Sequence, residues 1–303
     1  MKVKISARYY IDEESQRLAE LKITTVIESI FNQLKNALAI EKLDTIFVPE
    51  NYHDELHSFQ TSIGQNKYST RNRHSEAIGQ MLTSVKDGIK EYYIYFNKQY
   101  ALALAAGNLT DDIDKVFRQK YEDAVHFLIH ELAHIDEEEI FDEVESKNFR
   151  SRVAESSYYW RLSRDLWREY YASRVSAELF AVTNQDITLL LKSWKYIETE
   201  VIRVRTSYNS QILSLDDFEG KLYESTRFIL ISFIYFIAIY SASNCFNVLG
   251  FMNQISGVPS LYLSGIIEPM ANELNDLYNE FGKRKSLGFS NLEVLVRKYI
   301  NHF

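Results

Sequence analysis

Only three prolines, Pro49, Pro259 and Pro269, interrupt this chain of 303 residues, and glycine occupies just 10 positions. Proline breaks or kinks a helix because it removes a donor and crowds the preceding turn, and glycine weakens one through its backbone freedom. A chain so poor in both is expected to consist largely of long helices. With 46% of residues hydrophobic, it can fill one large core or two smaller ones that share an interface, and disorder as the dominant state is excluded. Strand-like runs are few and short, so the expected fold class is α+β, mainly helical, with a small sheet beside one of the helices.

His130-Glu131-Leu132-Ala133-His134 forms an H-E-x-x-H string. On a regular helix, residues four apart differ by roughly 40° in direction and roughly 6 Å in rise, so both imidazoles can reach one ion. Glu131 then lies beside them, where its carboxylate can meet a water on the metal instead of the metal itself. The spacing therefore predicts zinc on His130 and His134, with Glu131 as general base. Around the same helix, Val125, Leu128, Ile129, Leu132 and Ile135 make an apolar stripe opposite His126, His130 and His134. One face is expected in the core and the other in a cleft. His126 lies about 12 Å of rise from His134, too far for all three imidazoles to share an ion.

A third donor is suggested on a later helix, read from Leu162 to Phe180. Its spacing puts Glu169 on the face with Leu162, Leu166, Ala172, Ser173 and Ser176, where an unpaired carboxylate is costly. Zinc is one compensating charge, and an ion pair with Arg150, Arg161 or Arg164 is the other. Catalytic zinc commonly keeps three protein ligands and one open position, so His130, His134 and Glu169 are a sufficient set. Asp136 points roughly 200° away from His134 around the helix, and Glu137, Glu138 and Glu139 are expected to form a solvated acidic face, an alternative metal ligand within the run being the lesser reading.

With these residues in place, the stretch from Glu91 to Phe180 resembles the gluzincin group of zinc metallopeptidases, in which H-E-x-x-H is followed on a later helix by a glutamate ligand. Glu169-Tyr170-Tyr171-Ala172-Ser173-Arg174 is similar to the Glu-aromatic-x-Ala-Asp-Arg segment around that ligand in several members. It departs at Ser173, where those members carry an aspartate that orients a ligand histidine; the departure bears on turnover rate more than on metal binding. The resemblance implies Zn2+ as cofactor, hydrolysis of a peptide or protein substrate, and a zincin-like domain over residues 1–180 followed by a helical subdomain over 181–303. The partner for the developing oxyanion is open among His126, Tyr158, Tyr159, Tyr170 and Tyr171. A regulatory or partner-binding module that keeps the scaffold without efficient turnover is the alternative, motivated by Ser173 and by the helical C-terminal half.

Elsewhere the patterning is weaker. Ser15 to Ile40 reads as an amphipathic helix through Leu18, Leu21, Ile27, Ile30, Phe31, Leu34 and Leu38. Thr45 to Val48 reads as a short strand stopped by Pro49, and the polar stretch from Tyr52 to Asn72 as hairpin or loop, with His53 and His57 at the surface. Lys67, Arg71, Arg73 and His74 suggest a solvated basic loop, or else a contact for an acidic substrate. Glu91 to Phe96 has strong strand propensity, and at a sheet edge it would pair with an extended peptide. Asn108 to Asp112 offers capping side chains for the motif helix.

Residues 187–204 and 218–243 read as helices. The apolar run from Phe228 to Ala242 is shorter than the roughly 20 residues a membrane span needs, and Ser243, Asn244 and Asn247 follow it, so a buried helix is expected. Pro259 and Pro269 are expected to mark turns ahead of helices from Met270 to Phe281 and from Asn291 to Ile300.

A formal net charge of -8 argues against a nucleic-acid partner, which calls for a basic face. The single cysteine, Cys245, excludes a disulfide within the chain and a zinc site made of cysteines. The opening Met1-Lys2-Val3-Lys4-Ile5-Ser6 leads into polar sequence without the apolar run of a secretory signal, and a cytoplasmic location is expected.

Overall fold

The computed structural model describes residues 1–65, 78–107, 115–145, 157–180, 199–242, 261–281 and 288–301. Lys67, Arg71, Arg73, His74, the capping stretch Asn108 to Asp112, Arg150, residues 187–198, Ser243, Asn244, Cys245, Asn247 and Pro259 lie outside them. The chain forms two compact units, 1–139 and 140–303. The fold is α+β and mainly helical, with one small sheet.

The first unit carries that sheet. Strands β1 (Lys2–Ile5), β2 (Leu43–Val48), β3 (Gly79–Lys86) and β4 (Ile89–Phe96) lie in the order β1-β2-β4-β3. β1 and β2 pair in parallel, as do β2 and β4, whereas β3 and β4 are antiparallel. A parallel pair needs a crossover, which α1 (Glu13–Leu34) supplies between β1 and β2. The antiparallel pair closes through Asp87 (φ 52) and Gly88 (φ 78), the left-handed pair of a two-residue turn whose twist suits a hairpin. The expected strand at Glu91 to Phe96 is present and begins at Ile89, but it is interior. The hairpin covers its outer side, so the outer edge there belongs to β3.

Helix α1 starts where Asp12 accepts the Ser15 N–H at 2.7 Å, and it buries Ala19, Ile23, Ile27 and Leu34. Leu18 and Leu21, expected on the apolar stripe, are more than half exposed. Helix α2 (Tyr52–Ser62) occupies the stretch expected to be hairpin or loop. Its polar majority faces outward. Tyr52, Leu56, Phe59 and Ile63 recur at helical spacing and pack with Phe47, Leu82, Tyr93 and Tyr95 of the sheet. The Phe47 and Tyr95 rings lie 4.8 Å apart, and Phe59 meets Tyr93 edge-on at 4.9 Å. A short helix, α3 (Lys98–Ala106), follows β4 and is capped by Asn97.

Helix α4 (Lys115–Glu145) contains the motif and runs through the boundary between the units. In the second unit, α5 (Ser157–Leu179) packs against α7 (Leu215–Ala242), α8 (Leu261–Glu280) and α9 (Ser290–Ile300), and a helical segment, α6, spans 199–209. The stretch Gly220–Ala242 of α7 is long and apolar enough to cross a membrane, and half of its most apolar window is buried inside the protein. Ile229, Leu230, Phe233, Ile234, Ile237 and Ala238 form that buried side. Pro269 lies inside α8 instead of at a turn. Burial of Ile266, Ile267, Met270, Ala271, Leu274 and Leu277 along the helix outweighs the one backbone hydrogen bond that proline cannot make.

Candidate metal centre

Around the motif α4 is buried on every side: residues 128–137 are all buried. His130 is 5% exposed, Glu131 8% and His134 7%. The face expected to look into a cleft is thus nearly as buried as the face expected in the core. The two imidazoles stand nearly perpendicular, with ring centroids 4.6 Å apart, as residues one turn apart can. His126, one turn earlier, meets Phe127 edge-on at 5.7 Å. Burial, with a smaller contribution from His130, pushes its pKa down to about 3, so it is neutral across the physiological range.

Glu131 is held by the hairpin. Its Oε2 accepts the backbone N–H of Met81 on β3 at 2.7 Å, and Gly79 lies two residues earlier on the same strand. A Cβ added at Gly79 would sit 2.8 Å from the Glu131 Cγ, so glycine is what allows the strand to approach this closely.

The acidic run after the motif is not a solvated face. Asp136 accepts the Ala39 N–H at 2.6 Å, and Glu137 is fully buried. Glu138 takes Lys90 at 2.9 Å and the Thr83 hydroxyl at 3.2 Å. Glu139 takes Lys42 at 2.5 Å and the Tyr92 hydroxyl at 2.6 Å. This part of α4 lies alongside β3 and β4, whose lysine, threonine and tyrosine side chains reach it, so the charges tie helix to sheet. Burial alone would raise the Glu139 pKa, but Lys42 and Tyr92 outweigh it and hold the carboxyl below its ordinary value.

Glu169 sits in the middle of α5, among Leu166, Trp167, Tyr170 and Ala172, all fully buried. Its Oε2 accepts the Tyr235 hydroxyl at 2.8 Å, and the Arg227 guanidinium stands 3.9 Å from Oε1. Arg227 in turn donates to Asp165 at 2.7 Å, and Tyr223 donates to the same carboxylate at 2.8 Å. Two acids four residues apart on α5 thus face a line of Tyr223, Arg227 and Tyr235 on α7. Burial works against the Arg227 charge, but Asp165 and then Glu169 outweigh it and keep its pKa high. The arginines expected as partners, Arg150, Arg161 and Arg164, are all close to Glu169 in the chain. Of those, Arg164 lies 3.9 Å over the Phe141 ring.

Of the three expected donors, His130 and His134 stand one turn apart on α4 in the first unit, and Glu169 belongs to the second. The tyrosines considered for the oxyanion are placed as follows. Tyr170 is fully buried and its hydroxyl accepts from Arg174 at 2.9 Å. Tyr171 packs against Trp167 and Phe281, and Arg297 covers the Tyr159 ring at 4.4 Å. The side chain of Tyr158 lies outside the described residues. Ser173 is fully buried and its carbonyl accepts the Ser176 hydroxyl at 3.0 Å. No protein-family model, curated protein or solved structure matches the chain.

Proposed function

We propose that this protein is a zinc-dependent metallopeptidase acting on a peptide or protein substrate. The observation that carries the reading is the buried H-E-x-x-H turn of α4, where two imidazoles stand with ring centroids 4.6 Å apart and Glu131 is oriented by the Met81 N–H; Glu169 is the proposed third donor. Two histidines and one glutamate suit zinc in both charge and softness, and three protein donors leave a fourth position open. His130, His134 and Glu169 would hold the ion, which supplies Lewis acidity toward a carbonyl and acidifies a water. Glu131, next to His130 but outside the donor set, takes the proton of the attacking water at its carboxylate and passes it to the leaving amine. The buried surroundings keep bulk solvent from that carboxylate and strengthen its interactions.

Glu131→Gln tests this directly. The variant is expected to retain stoichiometric zinc while peptide hydrolysis falls by about 10²- to 10⁴-fold, the range for loss of a general base. Undiminished hydrolysis would remove Glu131 from that role.

A second reading, a peptidase-like binding module without efficient turnover, is favoured by the burial of His130, Glu131 and His134 and by Ser173 at the position where the gluzincin pattern has an aspartate. Stoichiometric zinc with no cleavage across a broad peptide library supports that reading. Cleavage that a chelator abolishes opposes it.

A further inference from the structure

We infer that Tyr235 is a positioning residue for Glu169, fixing the orientation in which that carboxylate is offered to a metal ion; the inference rests on the metallopeptidase reading. The Tyr235 hydroxyl donates to Oε2 of Glu169 at 2.8 Å. A carboxylate with one oxygen tied in this way cannot rotate freely about its last torsion, so the partner oxygen is presented in a fixed direction.

The α7 surface around Tyr235 is apolar, with Ile231, Ile234 and Phe236 as neighbours, all buried. A hydroxyl brought into such a surface needs a partner, and it meets the one carboxylate of α5 that belongs to the donor set. The rest of the α7 line supports the same geometry without touching Glu169 closely. Arg227 is fastened by Asp165 at 2.7 Å and stands at 3.9 Å from Oε1, beyond hydrogen-bond reach, so it does not compete for that oxygen as a close donor would. Tyr223, on the same line, serves Asp165.

The test uses the full chain, with zinc affinity measured by competition against a chromophoric chelator and the ligand field read from the visible spectrum of the Co2+ form. Tyr235→Phe removes one hydroxyl from a side chain that otherwise packs as before. It is expected to weaken zinc binding about tenfold or more and to alter the Co2+ spectrum, while thermal unfolding of the metal-free protein stays near the parent's. Tyr223→Phe removes the equivalent hydroxyl at Asp165 and is expected to keep the parent's zinc affinity.

Unchanged affinity and spectrum in Tyr235→Phe would overturn the inference and leave the contact as a staple between helices. Equal weakening in both variants would overturn it too, since the effect would then be general loosening of α5 against α7. If the parent itself takes up no zinc, the metallopeptidase reading fails first. A zinc-binding parent with an unaffected Tyr235→Phe variant sinks the inference alone.

Discussion

Glu131 and Glu169, the two carboxylates on which the proposed chemistry depends, are held by different kinds of partner. Within the first unit Glu131 accepts a backbone N–H, that of Met81 on β3. Within the second unit Glu169 accepts a side-chain hydroxyl, that of Tyr235, with Arg227 nearby. A backbone donor moves only as its strand moves, so the position of Glu131 depends on the path and register of the hairpin. A side-chain donor is set by residue identity, so the position of Glu169 depends on the α7 sequence. A base that must release and accept a proton gains from a fixed backbone donor, which holds one oxygen in place. A ligand that must stay in one place gains from a fixed side-chain contact.

The comparison is broken most severely at Gly79. A methyl group there would lie 2.8 Å from the Glu131 Cγ, closer than carbon atoms approach without displacement. Gly79→Ala is therefore expected to shift the base while leaving the donors alone. Peptide hydrolysis should fall by about tenfold or more through kcat, since small misplacements of a catalytic group are costly, and zinc content should match the parent's. Zinc loss in parallel with activity would show that the strand supports the donors as well, and the two carboxylates would no longer be separable.

A smaller effect is expected at the turn that sets the register of β3. Gly88 has φ 78, and nothing lies within 4 Å of where a Cβ would stand, so Gly88→Ala tests backbone conformation alone. The left-handed region costs a residue with a Cβ about 1 kcal/mol. Chemical denaturation should show a loss of that order, with Glu169-dependent zinc affinity unchanged. A loss near zero would mean that the turn relaxes to another type and that the hairpin register is set elsewhere.

These features also mark what the sequence made legible. Helices α4 and α5 were readable because apolar residues recur along them at helical spacing, and His130, Glu131, His134 and Glu169 were named as candidates from that periodicity and from the H-E-x-x-H motif. Strand β4 was readable from the run Tyr92-Tyr93-Ile94-Tyr95-Phe96. Its partner β3 was not, since Gln80-Met81-Leu82-Thr83-Ser84 alternates too weakly; the Asp87-Gly88 dipeptide between two extended runs was the stronger signal. Helix α2 was hidden by its polar majority, because only every third or fourth residue needs to be apolar when a sheet lies beneath. Tyr235 and Arg227 lie 66 and 58 positions from Glu169 along the chain, and local spacing carries no information about which distant helix supplies a partner. Glu138 and Glu139 looked solvated for the same reason: their partners Lys42, Thr83, Lys90 and Tyr92 come from loop and strands far away in sequence.

That acidic run gives the weakest test, because its exposed ion pair to Lys42 ties the motif helix to the sheet side of the first unit. The Glu139 carboxyl is held below its ordinary value of 4.5, burial being outweighed by Lys42 and Tyr92. The folded protein therefore binds fewer protons at this group than the unfolded chain does. Its contribution is fully present above pH 4.5 and is lost as pH falls through the folded value. Glu139→Gln removes that contribution, so denaturation midpoints measured between pH 3 and pH 6 should fall less steeply on the acid side than in the parent. The Lys42 side chain is 52% exposed, so the difference should shrink in high salt, where exposed charges are screened. Identical acid limbs for variant and parent would mean that α4 is fastened to the sheet by Glu138 and apolar packing alone. The steadiness of Glu131 would then owe nothing to this end of its helix.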